Sequence, residues 1–93
     1  MTVTLITVKL YAPWVHSLKQ KRTLVKGLCQ KLQDKFHMSV IESDAQDVHQ
    51  TIVISMAFLA HQDAAADSMS DAILSFIERN TDAEVVDVWV EKR

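Results

Sequence analysis

The sequence predicts an α+β fold, and three features of its pattern lead to that prediction. Four stretches alternate like β-strands, two stretches have helical spacing, and the order along the chain is β-α-β-β-α-β. Two right-handed crossovers within one sheet give a ferredoxin-like sandwich, a four-stranded antiparallel sheet with both helices on one face. We expect one domain over residues 1–93, because domains of about 100 residues are common.

The first two elements are a strand and a long helix. Residues 2–11 are rich in β-branched side chains and predict a strand. Ser17 is a suitable N-cap for a helix that we expect to end near Phe36. Gly27 lies in its middle, and we expect close packing on the sheet to be the reason for it. The predicted core stripe of this helix comprises Leu18, Val25, Leu28, Cys29, Leu32 and Phe36.

The remaining elements are three strands and a second helix. We expect strands at residues 38–43, 51–59 and 84–91. The near-continuous apolar run of 51–59 is typical of a central strand covered on both faces. The second helix is expected to begin at Asp63 and to end near Arg79.

Side-chain alternation assigns the two faces of the sheet. The last strand would present one face through Val86, Val88 and Val90, and the other through Val85, Asp87 and Trp89. An aromatic residue on the open face can stack on a nucleobase, but a homodimer interface or a small apolar patch is favoured there. The residues predicted to form this interaction face are Leu5, Lys9, Tyr11 and Trp89.

Charge is unevenly divided along the chain, although the formal net charge is only −2. Residues 1–36 carry seven Lys and Arg side chains and one acid, whereas residues 37–93 carry three and eleven. Six of the seven cations fall on the predicted first helix. This asymmetry favours an anionic partner for the basic half, unless the two halves face each other.

The start of the first helix is the predicted binding site. The segment HSLKQKR, residues 16–22, places three cations where a helix already carries partial positive charge. Free backbone N–H groups beside Lys and Arg side chains can hold a phosphate group. Further along, Lys19, Arg22 and Lys26 form a ridge at the spacing that suits a nucleic-acid backbone. The predicted phosphate-binding residues are His16, Ser17, Lys19, Lys21, Arg22 and Lys26.

The alternative interpretation is that these cations pair with acids of the same chain. In the predicted topology, the loop between the second and third strands lies at the same end of the sheet as the helix start. Lys21 projects onto the apolar stripe, so we expect its ammonium group to reach out past the core. The loop residues expected to face the site are Asp44, Asp47, His49 and Gln50.

Several classes of function are excluded or disfavoured by composition. A single glycine excludes glycine-rich nucleotide-binding loops. The four histidines lack metal-ligand spacing, and Cys29 falls on the apolar stripe. We therefore predict a protein that is not an enzyme, with no catalytic residues, metal or cofactor. The single cysteine and the absence of a long apolar run predict a cytoplasmic protein with no membrane partner.

These residues resemble the YlxP-like family of small bacterial proteins over essentially the whole chain. After a strand ending in Leu10 and Pro13, SLKQKR at 17–22 is similar to the family's Ser-Leu-Lys-x-Lys-Arg. FHMSVIES at 36–43 resembles its Phe-Asn-Val-Ser-Val, and QDVHQ at 46–50 resembles its Gln-Asp-Leu-Trp-Gln. The first of these matches is the most specific.

The resemblance implies a ferredoxin-like fold and a bacterial cytoplasmic setting. Family members are often encoded near translation and ribosome-maturation genes, which implies a role on RNA or the ribosome. The chain departs from the family pattern at four positions. His49 stands where Trp is usual, Thr51 where Arg is common, Trp14 in a loop that usually bears glycine, and Ser55 in place of a strand glycine.

Two hypotheses follow from the sequence. The first is a non-catalytic RNA- or ribosome-associated module that uses the basic first helix. The second is a protein-interaction module, a homodimer joined through the open sheet face at Leu5, Tyr11 and Trp89.

Overall fold

Six elements make up the fold in the computed structural model, which describes residues 1–93. Each lies within one residue of the bounds that the sequence predicts. They are β1 (Thr2–Tyr11), α1 (Leu18–Phe36), β2 (Ser39–Asp44), β3 (Thr51–Ala60), α2 (Asp63–Asn80) and β4 (Glu84–Lys92). The βαββαβ order and the open sheet confirm the ferredoxin-like α+β prediction.

The four strands form one antiparallel sheet in the order β2-β3-β1-β4. β1 and β3 pair along their whole length, from Thr2 opposite Ala60 to Tyr11 opposite Thr51. Both are therefore central strands, as predicted for β3. The expectation that β3 is covered on both faces is wrong, because its alternate residues from Thr51 to Ala57 are only half-buried and Leu59 is 63% exposed.

The core lies between the sheet and the two helices. From β1 it takes Ile6, Val8 and Leu10, which are fully buried as the alternation predicts. The helices contribute Val25, Leu28 and Leu32 from α1 and Ala66, Ile73 and Ile77 from α2. Neither helix combines the length with the hydropathy that crossing a bilayer would require.

Helix α1 begins and ends with well-defined caps. Ser17 has an extended backbone, and its Oγ accepts the Gln20 N–H at 3.1 Å, which confirms the predicted N-cap. At the other end, His37 adopts a left-handed conformation with φ of 51°, and its N–H donates to the Gln33 carbonyl at 2.8 Å. Local signals thus fix both ends of the helix.

Gly27 does not pack on the sheet, so the expected reason for this glycine is wrong. It lies on the exposed side of α1, and a Cβ atom built there would meet nothing within 4 Å. No close approach in the fold requires a glycine at this position.

Strand β4 contains an irregularity that changes which side chains face the helices. Its register against β1 shifts between Lys9 and Leu10, so that Val85 lies opposite Leu10 and faces the helices. Val85 and Val88 pack against the core, whereas Val86 is 50% exposed. The prediction that Val86 shares the face of Val88 is therefore wrong, because simple alternation does not hold across a bulge.

Candidate nucleic-acid interface

The side chain of Lys21 joins the start of α1 to the loop between β2 and β3. It is buried, with 1% of its surface exposed. Its Nζ donates to the carbonyl oxygens of Ala45 at 2.5 Å and Val48 at 2.6 Å. It also lies 3.0 Å from Glu42 Oε2, an ion pair whose angles fall outside hydrogen-bond geometry. Lys21 therefore has its partners within the chain.

The irregular end of β2 brings those partners to Lys21. Glu42 lies opposite the fully buried Ile54, so it points toward the helices, and the register then shifts before Asp44. Ala45 follows with a positive φ of 55°, and its carbonyl also accepts the Val48 N–H at 3.0 Å. This tight turn aims two carbonyl groups at the ammonium.

The burial of Lys21 corrects its sequence-based assignment in one respect and confirms it in another. The side chain does project onto the apolar stripe, between α1 and the sheet. Its ammonium group turns inward to the loop carbonyls, however, instead of reaching solvent past the core. Lys21 is therefore not available to a phosphate group from outside.

The other five cations of α1 are exposed, and we call three of them, Lys19, Arg22 and Lys26, the basic ridge. Only three cations form ion pairs in the structure, namely Lys21, Lys92 and Arg93. No member of the ridge thus has a carboxylate within 4 Å, and the first turn of α1 contains no acid. Internal pairing accounts for Lys21 alone.

The other predicted residues at the helix start have identifiable structural roles. Ser17 caps the helix, and the His16 N–H donates to Gln20 Oε1 at 3.0 Å. The Gln20 side chain thus provides a hydrogen-bond acceptor for the backbone N–H that lies just before the N-cap. The His16 imidazole is exposed and has no hydrogen-bond partner in the chain.

The loop between β2 and β3 lies beside the helix start, as its sequence position predicts. Gln50 is structural, since its Nε2 donates to the Pro13 carbonyl at 3.0 Å and its own carbonyl accepts the Ala12 N–H at 2.8 Å. Asp44 Oδ1 accepts the Ala45 N–H at 2.8 Å. The exposed side chains of Asp47 and His49 have no partner in the chain.

Trp14 belongs to this surface, although the sequence singled it out only as a departure from the family pattern. It is 39% exposed and borders a shallow notch of about 510 Å³. The other residues of the notch are Ser17, Lys19, Gln20, Thr23 and Leu24. The sequence signal that could have indicated this role is the position of Trp14, an aromatic residue three positions before the N-cap Ser17.

The open sheet face presents the four predicted interaction residues together. Leu5, Lys9 and Tyr11 alternate along β1, and Trp89 of β4 lies opposite Thr7 between them. One half of the face, toward Tyr11, carries hydroxyl and charged groups. The other half, which we call the apolar half, presents Ile41 and Leu59, each 63% exposed, beside the Glu91–Arg93 ion pair at the end of β4.

Groups with catalytic potential are few and separated. Cys29 is half-buried, and this burial, together with the nearby Glu42 carboxylate, raises the pKa of its thiol. A raised pKa lowers the thiolate fraction and with it the nucleophilicity of the sulfur. No three His, Cys, Asp or Glu side chains come together as metal ligands would.

Comparison with known proteins places the chain beside a sequence family. The sequence model of a family described as "Protein of unknown function (DUF503)" matches residues 3–90. No curated protein matches the chain.

Proposed function

The chain belongs to the DUF503 family of proteins of unknown function, and we propose that it is a non-catalytic module that binds RNA or the ribosome through the basic ridge. The observation that carries the proposal is the absence of a carboxylate partner for any of the three ridge cations. An internal salt bridge would have explained the presence of Lys19 and Arg22 near a helix N-terminus, where cations are unfavourable. An external anion supplies the missing partner.

The spacing of the ridge supports a polyanionic partner rather than a single anion. Lys19 and Lys26 are separated by about 10 Å along the helix axis, with Arg22 between them. Long side chains at this spacing can reach successive phosphate groups of one backbone. Lys21 contributes indirectly, since it holds the neighbouring loop in place.

Two finer assignments belong to the same proposal. The similarity of residues 17–22 to Ser-Leu-Lys-x-Lys-Arg supports a YlxP-like identity and, with it, a place near translation. We also take residues 1–93 to form one domain. An RNA partner and a single unpaired thiol support a cytoplasmic setting for it.

The test measures binding to isolated ribosomal subunits or a structured RNA over a range of salt concentrations. We expect affinity to fall steeply with salt, because counterions are released from each contacted phosphate. The double variant Lys19→Glu with Arg22→Glu should abolish binding.

A charge-matched control comes from the same helix. Lys31→Glu with Lys35→Glu changes the net charge equally, but these exposed residues lie on the other flank of α1. This control should retain most of the binding. Equal loss of binding in both double variants would mean that binding depends on net charge alone and not on the ridge. Unchanged binding by the ridge variant would refute the proposal.

A second candidate function is homodimerisation through the apolar half of the open face. The observation in its favour is the exposure of large apolar side chains on one surface, including Val3, Ile41 and Leu59. Leu5 lies among them and lines a small, almost entirely apolar depression of about 180 Å³. A second copy of the chain would remove this surface from water.

Sedimentation at about 100 μM protein, the upper range of weak association, tests the dimer. We expect the mass of two chains, which Leu59→Asp should reduce to one. Trp89→Ala reports whether the interface extends into the polar half. A monomer in the unaltered protein would refute this candidate and leave the RNA proposal intact.

A further inference from the structure

A groove crosses the polar half of the open sheet face, on the side of the sheet away from the basic ridge. It has a volume of about 500 Å³, and we call it the open-face groove. Trp89 of β4 stands at one side, and Asp44 and Ala45 at the end of β2 stand at the other. The residues between them are Thr7, Lys9, Ser43, Thr51, Val53 and Ser55.

Three hydroxyl groups in this groove form a chain across three strands. Ser55 Oγ donates to Ser43 Oγ at 2.7 Å, and Thr7 Oγ1 lies 2.8 Å from Ser55 Oγ. Since the one hydrogen of Ser55 is used on Ser43, Thr7 must be the donor in the other contact. The hydroxyl hydrogen of Ser43 is then left without an acceptor in the chain.

Lys9 adds a cation without a partner. It is exposed, and no carboxylate lies within 4 Å of its ammonium group. Asp87 is directly opposite on β4, but its Oδ1 accepts the N–H of Val88 at 2.9 Å. The groove therefore offers two kinds of donor, an ammonium group and a serine hydroxyl.

Trp89 supplies a flat apolar surface beside these donors. It is 50% exposed and lies opposite Thr7, which places Lys9 on the diagonal of the same face, about 7–8 Å away between Cα atoms. An indole can stack on any nucleobase, because every base presents a π face. At this separation, one ligand can contact the indole and the ammonium together.

We propose that the open-face groove binds a single unpaired nucleotide, with the base stacked on Trp89 and the phosphate group at Lys9. The Ser43 hydroxyl donates to a carbonyl or ring nitrogen of the base, and the second Asp44 carboxylate oxygen accepts from an amino or ribose hydroxyl group. Taking the partner to be RNA rests on the proposed function. The groove residues are distinct from those of the basic ridge.

The two tryptophans allow a direct test of stacking. In the Trp14→Phe variant, Trp89 is the only tryptophan, so its fluorescence reports the groove alone. We expect saturable quenching by adenosine monophosphate and by a single-stranded oligoadenylate hexamer. Ribose 5-phosphate, which lacks the base, should quench little. If neither base-containing probe quenches the fluorescence of Trp89, the inference is overturned. This holds whether the groove is empty or covered by a second copy.

Side-chain changes separate the groove from the ridge, with binding of a labelled hexamer as the second readout. Trp89→Leu should weaken binding about 5- to 150-fold, the range for loss of one stacked aromatic residue. Lys9→Gln should weaken it roughly tenfold or more. Tyr11→Leu, an aromatic of the same face outside the groove, is the matched control and should have little effect. Full binding by the Trp89 and Lys9 variants would overturn the inference.

The ridge double variant distinguishes failure of the two proposals. Lys19→Glu with Arg22→Glu should weaken binding of the hexamer without altering the quenching of Trp89 by adenosine monophosphate. If Trp89 responds while the ridge variant binds RNA normally, the ridge proposal fails and the groove stands. If the ridge variant loses RNA while Trp89 never responds, the groove proposal fails. An unchanged midpoint of thermal unfolding in each variant shows that the substitution of an exposed residue leaves the fold intact.

Discussion

Lys21 owes its role to its angular position on α1 rather than to its charge. It shares one helix face with Val25, Leu28 and Leu32, all of which are buried. A long methylene stem suits such a position, but the ammonium at its end must then find acceptors. The carbonyl groups of Ala45 and Val48 provide them.

Removing the Lys21 ammonium should therefore destabilise the protein. Lys21→Met keeps the length and apolar character of the stem but removes the cation beside Glu42 and the Lys21 donor to the Val48 carbonyl, and it leaves the Ala45 carbonyl with the Val48 N–H alone. We expect a loss of about 2–4 kcal/mol in the free energy of unfolding, measured by urea denaturation. Lys19→Met, an exposed position on the same helix, should change it by less than about 0.5 kcal/mol. Similar values for the two variants would contradict a structural role for Lys21.

The thiol of Cys29 should make stability depend on pH in the alkaline range. Burial, with a smaller contribution from Glu42, raises the pKa of this thiol in the folded state. The folded protein then keeps a proton that the unfolded chain has lost, so stability declines as pH rises above about 8.5. Cys29→Ala should remove that part of the decline. Urea denaturation between pH 7.5 and 10 measures it, and parallel curves would disprove the effect.

The sequence alone could place Lys21 on the core stripe but not identify its partners. Helical periodicity determines the face, because it depends only on spacing along α1. The acceptors lie more than twenty residues later, in a turn whose left-handed Ala45 no pattern indicates. The same periodicity is consistent with the exposure of Lys19, Arg22 and Lys26, because none of them falls on the apolar stripe.

At the scale of single elements, local sequence signals determine where helices and strands begin and end. Pairing between distant strands determines which side chains depart from simple alternation. Ser17 capped α1 as predicted, because capping involves only residues within one helical turn. The shift between Lys9 and Leu10 depends instead on how β4 meets β1. No local property of Val86 distinguishes it from Val88, so alternation misassigned it.

Gly27 offers a stabilising substitution within α1. Because a Cβ atom would meet no neighbour, Gly27→Ala should increase the free energy of unfolding by up to about 1 kcal/mol. The shift of the urea midpoint measures this gain. A decrease would show that the exposed side of α1 is constrained in a way that the fold does not account for. RNA binding should be unaffected, since the basic ridge keeps its side chains.

At the scale of the whole molecule, the two oppositely charged halves of the chain largely do not neutralise each other. The pairs Lys92–Asp67 and Arg93–Glu91 both lie within the acidic half, and their side chains are between 34% and 70% exposed. Only Lys21–Glu42 joins the two halves. The charge asymmetry read from the sequence is therefore a property of the folded surface, where it can attract ligands of opposite charge.

Sheet topology predicts which amide groups open last. β1 is paired on both sides, and its Ile6, Val8 and Leu10 are fully buried. We expect amides of β1 to exchange with solvent deuterium only through global unfolding, whereas those at the outer edge of β2 exchange faster. Residue-resolved hydrogen exchange measures the difference. Equal protection of β1 and β2 would mean that the protein opens as one unit.

The bulge in β4 also bears on how copies of this protein avoid polymerising. A nine-residue edge strand with exposed valines would, if flat, be a template for strand addition by another chain. The extra residue at Val86 increases the local twist, and Glu84, Asp87 and Glu91 give the strand a negative charge that repels an identical edge. A second copy is thereby directed away from the edge of the sheet and toward its face.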